Sequence, residues 1–479
     1  MTLNHQKLPV SRTLWTAIIV SLILAALCVN SYGPLIAIIV LSVWSLFGSK
    51  QAIQALSLVV LIKFLNPALY RFSGPVAVWE WIILAVAGSR IFFDSSRNST
   101  AFHSVLPWLL SFSFVVLLES IFFSHDKVVS IFKLASFTYS AVAVLLGFKE
   151  TARRQVDWTS WFLGVWIAVT FLSVPTYFFH QIGFQKDGMG FQGILNQPQA
   201  LAVFLAPMVA WLSGKMFLAA PSKSVYWLYF VLPVALVSMF FTRGRTAFFS
   251  IGAALIVIGI IALCIRPEWR KWIQKGLFKP ITLLCGFALF SLLVLQSSLV
   301  MDTVSTFILK GQKGAVTNSF EHSRGKGMIE QWQNFSRYPL FGIGFGVSLD
   351  RSFKPILDPT TGLPLSASTE KADLLIATLE ETGIIGTSFF LFFLVALIWH
   401  ILSKTDLVMP WVFFTCLFIN VGEMIFFSPG GLGIYIWLLI GWATCHRWET
   451  TCKLSTPSSE APFQAITNRP GILSQKSVA

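Results

Sequence analysis

Two arginines stand in the short stretch Thr242-Arg243-Gly244-Arg245-Thr246, between apolar runs. A guanidinium is planar, permanently charged and able to meet a phosphate through two parallel N–H groups. Arg243 and Arg245 therefore suit a phosphorylated ligand, although a solvated turn touching lipid headgroups would use the same residues. A third arginine, Arg324, follows Ser323, a residue type favoured at helix N-caps. Arg324, Met328, Trp332 and Phe335 recur at helical spacing, which predicts an amphipathic helix that starts at Arg324 and ends at Pro339. Gly342, Gly344 and Gly346 follow and permit close backbone packing.

Carboxylates and amides complete the inventory. On a helix Asp373, Ala377 and Glu380 share a face, and a carboxylate there can accept a proton from a hydroxyl. Acids favoured by the dipole at a helix start explain at least one of Asp373, Glu380 and Glu381 equally well. In Gly193-Ile194-Leu195-Asn196-Gln197-Pro198-Gln199, Asn196 and Gln199 can hold sugar hydroxyls. Alternatively, Asn196 caps a helix that Pro198 begins.

The elements that must position these residues are apolar. The chain has 55% hydrophobic residues, 12% charged residues and a mean hydropathy of +0.72, against about 25% charged in soluble domains. Hydrocarbon offers backbone groups no water, so the runs are expected to cross a membrane as helices. Windows of about 17–25 residues give fourteen candidate spans. They are Leu14–Asn30, Gly33–Ser49, Ala52–Leu69, Val76–Phe93, Ser104–Phe123, Val128–Phe148, Trp158–Phe179, Ala200–Leu218, Val225–Phe241, Thr246–Ile265, Ile281–Val300, Gly383–Leu402, Val408–Phe427 and Gly431–Thr444. The expected fold is an all-α polytopic membrane protein of 12–14 transmembrane helices. It divides into helices over 1–300, one large polar loop over 301–372, further helices over 373–447 and a disordered tail over 448–479. The first apolar run lacks a small-residue cleavage pattern and reads as a retained anchor helix.

The net charge of +14 does not point to nucleic acid, because the basic residues lie between spans rather than on one soluble face. With the N-terminus inside, twenty Lys and Arg fall on the cytoplasmic side and five on the other, the long loop excluded. That asymmetry predicts both termini in the cytoplasm and the long loop outside. Lys63, Glu80, Glu119, Lys133 and Glu423 fall within predicted spans, nearer the external ends. They are expected either to line an outward polar cavity or to form ion pairs such as Lys63 with Glu80. The six cysteines show neither metal-ligand nor disulfide spacing.

Taken in order, four features resemble the bacterial O-antigen ligase and Wzy-type polymerase family over roughly residues 190–386. They are Asn196-Gln197-Pro198, Thr242-Arg243-Gly244, the loop helix from Arg324 through Met328 to Pro339-Leu340-Phe341-Gly342, and Glu381-Thr382-Gly383-Ile384-Ile385-Gly386. The resemblance implies a GT-C-like glycosyltransferase in the bacterial inner membrane. Such an enzyme passes a saccharide from an undecaprenyl-pyrophosphate carrier to an acceptor glycan hydroxyl, with no cofactor and no metal, for O-antigen, exopolysaccharide or capsule. It also implies that Arg243 and Arg324 hold the pyrophosphate. The sequence departs from the ligase pattern of a histidine, a polar residue, nine further residues and Gly-x-x-Gly: Ala372 stands at the histidine position and Asp373 follows it. The resemblance therefore favours a polymerase or a divergent member, with Asp373, Glu380 or His322 as substitutes for the missing base. A polytopic transporter is the alternative expectation; it would carry inverted repeats and helices interrupted at mid-membrane.

Overall fold

The computed structural model describes residues 10–29, 32–69, 76–97, 104–185, 190–218, 227–277, 279, 325–349, 356–357, 364–366, 371, 373–404 and 406–446. The expected span Ile281–Val300, the tail from 448 and the residues Ser323, Arg324, His322 and Ala372 lie outside these.

The remaining apolar runs fall on helices, but two stop well short of the expected bounds: the Ala52–Leu69 run leaves its helix after Phe64 and the Val408–Phe427 run after Ile419. In chain order the described helices are α1 (Val10–Val29), α2 (Gly33–Ser45), α3 (Ser49–Phe64), α4 (Val76–Arg97), α5 (Leu106–Phe122), α6 (Lys127–Arg153), α7 (Trp158–Thr176), the single turn α8 (His180–Gly183), α9 (Pro198–Leu218), α10 (Leu228–Phe241) and α11 (Arg245–Cys264). Then come α12 (Pro267–Leu277), α13 (Lys326–Arg337), α14 (Leu374–Lys404), α15 (Val408–Ile419) and α16 (Leu432–Cys445). A two-stranded antiparallel ladder, β1 (Ile356–Leu357) with β2 (Pro364–Ser366), interrupts the helical pattern. Six helices, α1, α6, α7, α9, α11 and α14, are long and apolar enough to cross a membrane, and α2, α5, α10, α15 and α16 are shorter apolar helices.

Helix starts follow local chemistry. Asp126, Asp157 and Asp373 each accept a backbone N–H from three residues on, Val129, Ser160 and Ile376, at 3.1, 3.1 and 2.9 Å. Such caps contribute about 1 kcal/mol each. The core between helices is aromatic. Phe112 of α5, Phe137 of α6, Phe390 of α14 and Phe426 and Phe427 form one cluster of rings. Two buried indoles find acceptors: Trp166 Nε1 donates to Tyr435 Oη at 2.7 Å, and Trp437 Nε1 to the Phe426 carbonyl at 2.8 Å. Helices α1 and α2 instead show Leu14, Trp15, Ile18, Leu22, Ile36 and Val40 to the outside, as a lipid-facing surface requires.

Candidate functional site at the polar end of the bundle

The site is organised by a break in α14. Gly383 has φ 60° and ψ −165° inside the helix, which leaves the carbonyls of Glu380 and Glu381 and the amides of Ile384 and Ile385 without their usual helical partners. The segment after α13 supplies replacements. Ile343 N–H donates to Glu380 O at 2.9 Å and Gly344 N–H to Glu381 O at 3.0 Å; Ile384 N–H donates to Pro339 O at 2.8 Å and Ile385 N–H to Leu340 O at 3.3 Å. The Pro-Leu-Phe-Gly and Glu-Thr-Gly motifs are thus one interlocked backbone structure. Gly342, Gly344 and Gly346 have φ of 66°, 116° and 78°, and a Cβ on Gly342 would meet the backbone of Glu381. The close packing expected of these glycines is present. Phe341 stacks on Phe123 with centroids 3.9 Å apart.

Beneath this interlock lies a buried ionic network. Lys371 Nζ is 2.7 Å from Glu380 Oε2 and 3.1 Å from Glu381 Oε1, and Lys133 Nζ of α6 is 3.4 Å from Glu381 Oε1. Asn334 of α13 donates to Glu380 Oε1 at 2.8 Å, and Lys371 also donates to the Val347 carbonyl at 3.0 Å. Burial disfavours charge on Lys371, but the carboxylates of Glu381 and Glu380 outweigh it and hold its pKa above the ordinary lysine value. Lys63 and Glu80 form the other expected pair, at 2.6 Å. Glu119 differs: it is 4% exposed and neither carboxylate oxygen makes a hydrogen bond. Lys371 and Asn334 were not foreseen, because a lysine and an asparagine in a polar loop read as solvated. The signal available was two adjacent acids entering an apolar run with no cation of their own.

The described part of α13 opens on Gly325 and Lys326, so the start expected at Arg324 lies outside the described residues. The expected apolar face needs correcting: the buried residues of the helix are Gln331 and Asn334, while Ile329 and Trp332 are 58% and 52% exposed. Asn334 turns to the Glu380 carboxylate, and Met328 and Phe335 of the predicted apolar face are half-buried. The predicted end before Pro339 holds.

The arginine turn and the segment 190–199 meet at this same end. Arg243 is exposed, with φ 55°, one of two non-glycine residues at positive φ among the described residues. Thr242 Oγ1 closes the turn by accepting from Gly244 N–H at 3.1 Å. Gly190 lies against Pro198 and the Thr242 carbonyl, and Gly244 against Ala202. Arg245 is half-buried and Gln199 exposed. Pro198 starts α9 as expected, but Asn196 is not its cap: the Gln197 carbonyl accepts Leu201 N–H at 3.2 Å, and Asn196 Oδ1 has no hydrogen bond. Asn196 is instead positioned by its own N–H, which donates to Phe64 O at 2.7 Å.

Asp373 joins these groups. It caps α14 through Oδ1, and its neighbours Lys371 and Leu374 bind the 420–424 segment: Leu374 N–H donates to Asn420 O at 3.0 Å and Met424 N–H to Lys371 O at 3.2 Å. Gly422 in that segment packs on Thr246, in the first turn of α11 beside Arg245. Asp373, Glu380, Asn196, Gln199, Arg243 and Arg245 therefore share one end of the bundle. Glu380 lies inside the ionic network and Asp373 is half-buried at a helix cap. Among the described residues no three His, Cys, Asp or Glu side chains gather as a metal-binding group.

The apolar helices define a multi-pass α-helical membrane protein. No family model matches the chain, and no curated protein is significantly similar to it.

Proposed function

We propose that the chain is a membrane glycosyltransferase of the O-antigen ligase and polymerase kind, acting on a saccharide linked to undecaprenyl pyrophosphate. The observation that carries this reading is the meeting of the Arg243 turn, the 190–199 segment and the interlocked 338–344 and 380–385 motifs at one end of an apolar bundle. In this reading that end faces the periplasm, both termini are cytoplasmic, and the prenyl tail lies between helices. Arg243, with Arg245 and Arg324, neutralises the diphosphate as the anomeric C–O bond breaks. Stabilising developing charge is usually the largest contribution to such a transfer. The acceptor hydroxyl attacks from the opposite face with inversion and gives up its proton as the new C–O bond forms. Asp373 is the half-buried carboxylate available to orient the hydroxyl and accept its proton, while Glu380 is engaged by Lys371 and Asn334. Asn196, Gln199 and His322 are assigned to sugar hydroxyls.

The break in α14 is a feature a transporter could share. Its exposed backbone groups are filled by the 339–344 segment rather than turned to a passage, which favours the transferase.

The test is purified protein with a lipid-linked oligosaccharide donor and an acceptor glycan. Sugar transfer that is lost in Arg243→Lys and Arg324→Lys supports the assignment, because a point charge does not reproduce the guanidinium fork. Near-normal product from either variant would refute that residue's role. Deletion in the source cell separates the two subclasses: single repeats left on the carrier indicate a polymerase, and full-length carrier-bound chains indicate a ligase.

A further inference from the structure

The opposite end of the bundle carries a feature that glycosyl transfer does not use. After α11 ends at Cys264, α12 starts at Pro267 and runs through Glu268-Trp269-Arg270-Lys271-Trp272-Ile273-Gln274-Lys275. Trp269 is buried at 2% exposure and Gly276 packs against the Phe217 ring of α9. Lys279 Nζ donates to the Met216 carbonyl at 3.1 Å, and Arg266 Nη2 to the Leu402 carbonyl at 2.6 Å. The helix is thus pinned across the ends of α9 and α14. Arg270 and Lys271 point away from this contact and are exposed.

Several other cations at that end have carboxylate partners, and these two, among the described residues, do not. Arg90 pairs with Asp94, Arg153 and Arg154 with Glu150, and Lys215 with Asp406. Arg270 and Lys271 meet no carboxylate among the described residues. Directly before them, the outward face of α11 is an apolar stripe: Ile256, Ile260 and Leu263 are 65%, 53% and 66% exposed, at helical spacing, and Ile265 is 56% exposed. A lipid whose acyl chains lie along that stripe brings its headgroup to the level of α12.

We infer that α11 and α12 form a binding site for an anionic phospholipid, the acyl chains on the Ile256–Leu263 stripe and the phosphate on Arg270 and Lys271. Each basic residue near an anionic bilayer surface strengthens binding by about fivefold, so the pair together contributes roughly twenty-fivefold. Zwitterionic lipid gains less, because its own ammonium competes for the phosphate.

The test is native mass spectrometry of the full chain in detergent, titrated with phosphatidylglycerol, with phosphatidylcholine and with inorganic phosphate as competitor. The wild-type protein is expected to retain phosphatidylglycerol in preference to phosphatidylcholine. Arg270→Gln with Lys271→Gln should weaken phosphatidylglycerol binding by roughly tenfold or more, while Arg153→Gln with Arg154→Gln, whose cations already have Glu150, should leave it unchanged. Equal retention of the two lipids, or unchanged binding by the double variant, overturns the site. Displacement of the lipid by millimolar phosphate would show a free-anion site and likewise overturn it. Should the double variant not survive purification, a salt titration of the wild type decides: binding must weaken as ionic strength rises, and salt-independent binding counts against the proposal.

Discussion

Gly383 lies so close to the carbonyl of Leu340 that no Cβ fits between them. The contact is backbone against backbone, at the point where α14 breaks and the 339–344 segment takes over its hydrogen bonds. Gly383→Ala must therefore both adopt φ near 60° and push the segment away. The backbone term alone costs about 1–3 kcal/mol, and the four inter-segment hydrogen bonds are at risk in addition. The expected result is faster proteolysis at 338–347 with the other helices intact. Wild-type protection in that variant would show the interlock to be dispensable.

Lys371 holds the loop to the membrane helices. Removing one member of a buried ion pair costs roughly 3–5 kcal/mol, because its partner charge is left without compensation. Lys371→Met should lower the thermal midpoint by an amount consistent with that loss, and Glu381→Gln, which removes the carboxylate shared with Lys133, should do likewise. A shift no larger than that of a surface lysine variant would rule out the network as the anchor.

The same lysine sets a pH dependence. Its pKa lies above the ordinary 10.5 because Glu381 and Glu380 overcome the burial penalty. A group raised in the folded state stabilises fully below its unfolded pKa and loses that stabilisation as pH rises through the folded value. Protection of the 338–347 segment against proteolysis should therefore be flat from neutral pH to about 10 and fall only in stronger alkali. Loss between pH 7 and 9 would contradict this.

Arg243 occupies a backbone conformation that suits glycine. Arg243→Gly should relieve about 1 kcal/mol of strain and leave thermal stability equal or higher, while the proposed transfer is abolished. Arg243→Lys keeps the strain and the charge but not the fork. If the glycine variant is active, the arginine has no role at the diphosphate; if it unfolds, the turn depends on a side-chain contact rather than on backbone geometry.

Glu119 is buried with no side-chain partner among the described residues, and only the Gly386 backbone faces its carboxylate. Glu119→Gln should leave the melting temperature within the range of neutral substitutions, about ±0.5 kcal/mol. A large loss would reveal a partner for the carboxylate that the folded chain does not display. Glu80→Gln is the contrast: it strands Lys63, 2.6 Å away, and should destabilise.

The sequence by itself determined the apolar helices and the stop before Pro339, and it offered both the close packing at Gly342, Gly344 and Gly346 and the Lys63–Glu80 pairing. These follow from hydropathy, from proline and glycine backbone chemistry, and from the high cost of an unpaired charge in an apolar span, all of which act locally or within neighbouring helices. Only the tertiary structure decided that the 339–344 segment completes the broken α14, that Lys371 and Lys133 share Glu381, and that α13 buries Asn334 rather than Trp332. Lys133 and Glu381 are 248 residues apart, and a helix turns inward whichever face its neighbour can satisfy. Here Asn334 meets the Glu380 carboxylate, while Trp332 is left exposed and Met328 and Phe335 half-buried.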